Sequence, residues 1–321
     1  MKKSTLVLII VASSLVALGA ITFCVGMGMA KFNFGAFGTK LEINTHEVSD
    51  SFDSINVVTD VNDVVFLPSS DGRCVVECGE ESKVLHEVSV VDGELRITRT
   101  DLRKWYDHIS FFTVGEHYIK VYLPKSEYKN IKVKASTADV ELSNSFSAES
   151  IEIYVSTGDV ECHASATGLV KIRATTGDVE LEGLSAGSID ISVSTGMVEL
   201  ESVSCGANVA LKVTTGDSSF QNVKLGDLTS GGTTGDIYLK GVIASGKIDI
   251  VRDTGDVTFE RSDAEEIKVK TDTGKVQGTL LSTKIFYTKT DTGRVNVPKS
   301  TSGGICDIQT DTGRIEISVV S

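Results

Sequence analysis

From residue 131 onward, apolar and polar positions alternate in short runs that restart every 19 or 20 residues. Aligning the runs on one small residue makes the period plain: Ala138, Gly158, Gly177, Gly196, Gly216, Gly235, Gly255, Gly274, Gly293 and Gly313. The seventh position before it is apolar in every copy, from Ile131, Ile151 and Val170 to Phe286 and Cys306, and the fifth is apolar in eight of ten. Between these columns stand Lys132, Glu152, Lys171, Asp190, Asp249 and Lys268. Two and four residues after the small residue the chain is again mostly apolar, as in Val160 with Cys162 and Val179 with Leu181. Alternation of period two predicts a half-buried strand of about six residues, a turn, and a second strand of about five. One such pair cannot bury its apolar face alone, and a fixed period near twenty marks stacked repeats. The pattern therefore predicts an all-β, single-domain parallel β-solenoid with 19–20 residues per coil. Each strand would pair with its equivalent in the next coil at about 4.8 Å, so ten coils would form a rod roughly 50 Å long.

The turn column explains a motif that otherwise suggests chemistry. Asp-Thr-Gly occurs at Asp253, Asp272, Asp291 and Asp311, and this triplet carries the paired carboxylates of aspartic proteases, which share one proton. Upstream the same positions read STGD, TTGD and STGM, and the triplets here are followed by Asp, Lys or Arg. The triplet is a variant of the repeat. Glycine gives the corner its backbone freedom. The invariant Thr before it, from Thr137 to Thr312, has a strand parity that points inward, with a hydroxyl free to bond at the corner or along the stack. After the turn, six of the first seven coils carry Asp, Met197 being the exception, and the last three carry Lys275, Arg294 and Arg314. Stacked like charges repel, and Asp272, Asp291 and Asp311 are expected to form a mixed-charge ladder with those three cations. No catalytic, cofactor-binding or metal-ligating residue is assigned, and no cofactor is expected. A Thr column that is single over most of the rod also argues against an ice-binding array.

Residues 41–130 are strand-like without the period. VVDGEL at 90–95 predicts a hairpin with Asp92-Gly93 in its turn, and RKWYDH at 103–108 is expected to plug the end of the solenoid, since solenoids need atypical ends to hide apolar surface. Residues 1–30 differ again. Lys2 and Lys3 precede an uncharged stretch, residues 6–30, that is long enough to span a bilayer. By the positive-inside rule the amino terminus stays inside and the rest lies beyond the membrane. The domain reading is thus a signal anchor over 1–30, a linker over 31–40, a β-rich cap over 41–130 and the regular solenoid over 131–321. Cleavage after Ala30 is the alternative.

Composition narrows the partners. The chain carries a formal net charge of −13, and all 44 acidic residues follow residue 30, which argues against nucleic acid. Gly is abundant at 30 and Pro scarce at 3, a balance suited to strands joined by glycine turns. Of six cysteines, Cys24 lies in the apolar stretch, leaving five that cannot all pair within one chain. Cys74 and Cys78 lack zinc-ligand spacing and read as buried thiols acting as small apolar groups.

STGDVEC at 156–162, TTGDVEL at 175–181, TTGDIYL at 233–239, FDSINV at 52–57, RKWYD at 103–107 and TDTGRI at 310–315 together resemble a bacterial putative-adhesin domain of unknown function, found on membrane-anchored exported proteins of Gram-positive bacteria. The resemblance covers nearly the whole chain. It implies an extracytoplasmic β-solenoid, an adhesin-like surface-binding or envelope-scaffold module, and supplies no catalytic residues. Its partners would be the membrane, through residues 6–30, and a cell-envelope polymer or surface protein. An envelope-stress accessory role is the alternative. A polysaccharide-active β-helix enzyme is a further one, disfavoured by return loops of only a few residues.

Overall fold

The computed structural model describes residues 3–29, 38–104 and 112–320. Helix α1 (Lys3–Met29) contains an apolar stretch, Thr5–Gly26, long enough to cross a membrane, and none of it is buried against the protein. The aromatic plug expected at Trp105, Tyr106 and His108 lies outside the described residues.

The rest of the described residues form β-strands and their connecting turns, and from Ala138 to Gly274 the coils stack in chain order as a parallel solenoid. The apolar columns sit directly over one another: Ile131 faces Ile151, then Val170, Ile189, Val209, Leu228, Ile248 and Ile267. On the second strand Val140 faces Val160, then Val179, Val198, Ser218, Ile237, Val257 and Val276. These side chains form one continuous core. A second corner recurs once per coil, at Gly183, Ser202, Asn222, Gly241 and Arg261, each with a positive φ between 50° and 65°. It leaves no single residue type in the sequence because its Cβ meets less crowding.

Stacking departs from chain order at both ends. Strand 304–312 pairs with 266–273 on one side and with 284–292 on the other, so the last coil is inserted between the two before it. The second strands follow, 315–319 lying between 276–280 and 295–296. At the other end the strands are β1 (Gly38–Val48), β2 (Ser54–Val58), β3 (Asp63–Pro68), β4 (Cys74–Glu81), β5 (Val84–Val91), β6 (Glu94–Asp101), β7 (Phe112–Val114), β8 (Tyr118–Leu123) and β9 (Glu127–Thr137). Strands β2 and β3 form a coil of their own, pairing in parallel with β9 and with strand 140–142. On their outer side they pair in parallel with β6 and β8. Beyond these the direction reverses: β5 runs antiparallel to β6, and β4 antiparallel to β8 and β1.

The corner itself corrects one expectation. All ten pre-turn threonines are exposed rather than turned inward, because the ladder skips a residue at the corner, pairing Val155 with Ala174 and then Thr157 with Thr176. The inward position is three before the glycine. There Thr271, Thr310 and Thr290 donate their hydroxyls to the carbonyls of Gly255, Gly274 and Gly313, each in the adjoining coil. Gly177 adopts a φ of +136°, and a Cβ on it would overlap the Gly158 carbonyl beneath.

Three irregularities in the apolar columns meet in space. Arg252 occupies the inward position three before Gly255, is 1% exposed, and reaches across the adjoining coil to the Val213 carbonyl at 3.0 Å and the Ser218 hydroxyl at 3.1 Å. The coil it crosses carries Gly232 where a Cβ would overlap the guanidinium. Ser230, also buried, stands two residues before it. Desolvation lowers the Arg252 pKa.

Two stability predictions follow from these contacts. Gly177→Ala should cost about 1–3 kcal/mol from backbone strain alone, read from denaturant unfolding, whereas Thr176→Val on the exposed column should stay within about 0.5 kcal/mol. A double-mutant cycle of Gly232→Ala and Arg252→Val should show a coupling of roughly 1–3 kcal/mol from relief of the guanidinium overlap, while the double variant stays less stable than the parent because the new methyl still meets the Val213 carbonyl.

Candidate interaction surface

Two solvent-facing surfaces run along the rod, one on each strand of the coil. The first-strand surface neutralises itself. Lys132, Glu152, Lys171 and Asp190 stand in register with alternating sign, Lys132 lying 3.6 Å from Glu152. Tyr154 donates to Glu152 at 2.8 Å and has the ammonium groups of Lys132 and Lys171 over its ring at 5.7 and 6.0 Å. Arg173 pairs with Asp190 in the next coil.

The second-strand surface does the opposite. Glu141, Glu161, Glu180 and Glu199 stack directly over one another, flanked by Glu182 and Glu201, which also stack. His163 lies 3.5 Å from Glu182, and Gln221 donates to Glu199 at 3.0 Å. Burial, and then the charges of Glu161, Glu199 and Glu182, raise the Glu180 pKa above its usual 4.5.

The neighbouring Asp column has a structural reason that its like charges conceal. The amides of Asp139, Asp159, Asp178 and Met197 donate to the carboxylates of Asp63, Asp139, Asp159 and Asp178, each one coil earlier in the stack, at 2.7–2.9 Å. Asp236, Asp256 and Lys275 continue the pattern. These carboxylates bind backbone, so their repulsion is offset by charge-assisted hydrogen bonds. The ladder at the carboxy-terminal end is organised differently from expectation. Lys275 pairs with Asp256 at 3.3 Å and Lys289 with Asp291 at 3.6 Å, while Arg314 faces Glu316 at 3.8 Å. Asp253, Asp272, Asp291 and Asp311 all lie on the exposed corner, one per coil, and form no carboxylate dyad.

Sequence reasoning placed no weight on a buried polar cluster near the amino-terminal end of the rod. Cys78 and Glu80 on β4 and His86 on β5 are all buried, with ligand-type atoms within 4.8 Å of one another. Glu80 Oε2 lies 2.8 Å from His86 Nδ1 and accepts the His86 amide at 2.6 Å, while Asn44 donates to Oε1 at 2.7 Å. His86 Nε2 lies 3.2 Å from the Thr59 hydroxyl. Desolvation lowers the His86 pKa against the opposing pull of Glu80, and burial pushes the Cys78 thiol up to about 12. A cavity of 390 Å³ adjoins the cluster, lined by residues that include Asn62, Glu80, Arg99 and Arg103. Cys74, Cys162, Cys205 and Cys306 are likewise free and buried in the core.

A parallel β-solenoid with uniform corners and charge sorted onto one surface defines a class of elongated repeat protein that presents faces instead of a deep cleft. The chain belongs to the Toastrack DUF4097 family, whose model matches residues 52–217 and 206–321. Among solved structures, it is similar to a putative adhesin from Parabacteroides merdae ATCC 43184, at 16% identity over 87% of this chain and 96% of that one, with a TM-score of 0.49. A putative adhesin from Bacteroides fragilis NCTC 9343 matches at 15% identity over 86% and 97%, with a TM-score of 0.44. A putative lipid binding protein from Parabacteroides distasonis ATCC 8503 matches at 13% identity over 86% and 97%, with a TM-score of 0.35. No curated protein matches the chain.

The Glu column makes a pH prediction. A carboxyl whose folded pKa is raised binds its proton more tightly in the folded state, so its contribution to stability falls as pH rises from 4.5 through the higher folded value. The thermal midpoint of Glu180→Gln should therefore fall less across that window than the parent's, and the difference between them should shrink in high salt.

Proposed function

We propose that the protein is a non-catalytic, single-pass membrane protein whose solenoid lies outside the cytoplasm and serves as an adhesin-like binding or scaffold module of the cell envelope. The observation that carries this reading is the contrast between the two surfaces. One balances its charges coil by coil, and the other holds a Glu column of one sign stacked along four coils, relieved only in part by Gln221 at Glu199 and by His163 beside the flanking Glu182. Unneutralised charge held at a regular spacing suits a partner that presents cations in a row, whether a basic protein surface or a polymer with amine groups. Membrane attachment through α1 is supported by its length, its apolar composition, and Lys2 and Lys3 ahead of its apolar stretch. A non-catalytic role is supported by the setting of the corner aspartates, which stack one per coil on the exposed corner as part of the repeat.

The full chain, reconstituted in lipid nanodiscs and labelled, would be titrated against separated envelope fractions at low and high salt. Saturable binding to one fraction is expected, weaker in high salt and weakened at least several-fold by the combined Glu161→Gln, Glu180→Gln and Glu199→Gln variant. Binding that ignores both changes would remove the Glu column from the mechanism, and turnover of an envelope glycan would overturn the non-catalytic reading.

A further inference from the structure

The buried cluster at the amino-terminal end of the rod has the donor chemistry of a metal centre. Its three side chains come from one hairpin: Cys78 and Glu80 share the inward face of β4, and His86 stands on β5. Strand β1 lies antiparallel on β4, pairing Asn44 with Cys78 and His46 with Val76, which puts Asn44 and His46 on that same face. His46 Nε2 is buried with no hydrogen-bond partner, on the strand face that also carries Asn44.

We propose that Cys78, Glu80 and His86, joined by His46, bind one divalent cation of the zinc class beneath the amino-terminal end of the solenoid. Four observations carry this. The first three donor atoms already lie within 4.8 Å of one another, so a contraction of about 1 Å brings them to the separations set by Zn–S and Zn–N bonds of roughly 2.3 and 2.0 Å. The outer contacts are in place: Asn44 holds Glu80 Oε1 and Thr59 meets His86 Nε2, which leaves Oε2 and Nδ1 turned toward each other. Glu80, 2% exposed, accepts hydrogen bonds from an amide side chain and a backbone N–H and faces an imidazole. A cation between Oε2, Nδ1 and Sγ would supply the positive charge a buried carboxylate requires. The adjoining 390 Å³ cavity gives the ion a way in.

Donor type selects the metal. A thiolate with imidazole and one carboxylate suits zinc, whereas magnesium and calcium take oxygen ligands. On binding, the Cys78 thiol releases its proton to solvent as the metal–sulfur bond forms, and the Glu80–His86 contact is exchanged for two metal bonds. The ion would tie β4, β5 and β1 together, clamping the antiparallel layer onto the parallel coils. The spacing C-x-E-x5-H is no recognised zinc pattern because the ligands meet across the hairpin and not along one strand.

The test uses the full chain in detergent, stripped with chelator and titrated with Zn²⁺ alone. One equivalent should bind and raise the thermal midpoint of the stripped protein. Loading with Co²⁺ should produce a thiolate-to-cobalt charge-transfer band, lost in Cys78→Ser and kept in Cys74→Ser, and zinc affinity should fall at least about 10-fold in Cys78→Ser and in His46→Gln. Absence of both the thermal shift and the charge-transfer band in the unaltered chain overturns the site, independently of whether any variant folds. A band that survives Cys78→Ser overturns the ligand assignment, and unchanged zinc affinity in His46→Gln removes His46 from it.

Discussion

The backbone ladder between equivalent coils is the constraint on which the rest of this molecule depends. Each coil must lie over the last at about 4.8 Å with every residue above its counterpart, so each corner brings its backbone against the corner below. At Gly177 this contact leaves no space for a Cβ. A change of cross-section in one coil must then be answered in the next. Arg252 shows the rule at work: its guanidinium projects over Gly232 and ends on Ser218, so three departures from the apolar columns in three successive coils compose one packed unit. Arg252 would not be tolerable alone, since a buried guanidinium without space or acceptors costs several kcal/mol.

The same ladder creates a problem at the ends, where a coil has only one neighbour. The chain treats both ends alike, by running one coil too far and returning to fill the gap. Strands β2 and β3 are sandwiched between the coil of β6 and β8 and the coil of β9, and the last coil lies between its two predecessors. The last coil, the described segment nearest the carboxy terminus and so the readiest to fray, therefore has both edges of its strand 304–312 paired. At the amino-terminal end the reversal to antiparallel strands adds a further layer that the regular repeat could not extend, which blocks edge-to-edge growth.

The solenoid, its period and its core columns were legible because identical stacking forces identical side chains into every coil. What stayed hidden depends on contacts between unlike positions. The coil of β2 and β3 has Thr59-Asp60-Val61-Asn62 at its corner instead of Thr-Gly-Asp, so no alignment on glycine could find it. The inserted last coil carries the same TDTG motif as its neighbours, and motif similarity contains no information about spatial order. The threonine column was read inward because strict period two was carried through a corner where the ladder skips a residue. The buried Cys78, Glu80 and His86 cluster depends on the hairpin register of β4 and β5, which the sequence leaves open.

Charge is the property that stacking explains least uniformly, and this is where function separates from fold. Repetition by itself yields columns of like residues, hence columns of like charge, and such columns repel. The first-strand surface has diverged at alternate coils to Lys132, Glu152, Lys171 and Asp190, which removes the repulsion. The corner Asp column keeps its like charges because each carboxylate accepts the amide of the adjoining coil, and losing it would leave that amide unpaired. The Glu column on the second strand is relieved only at its margins, by Gln221 at Glu199 and by His163 beside Glu182: its residues are in register and of one sign, and Glu180 is held above its usual pKa by burial and by its stacked neighbours. A feature that the fold neither needs nor fully relieves is the one that the proposed cationic partner would read along the rod.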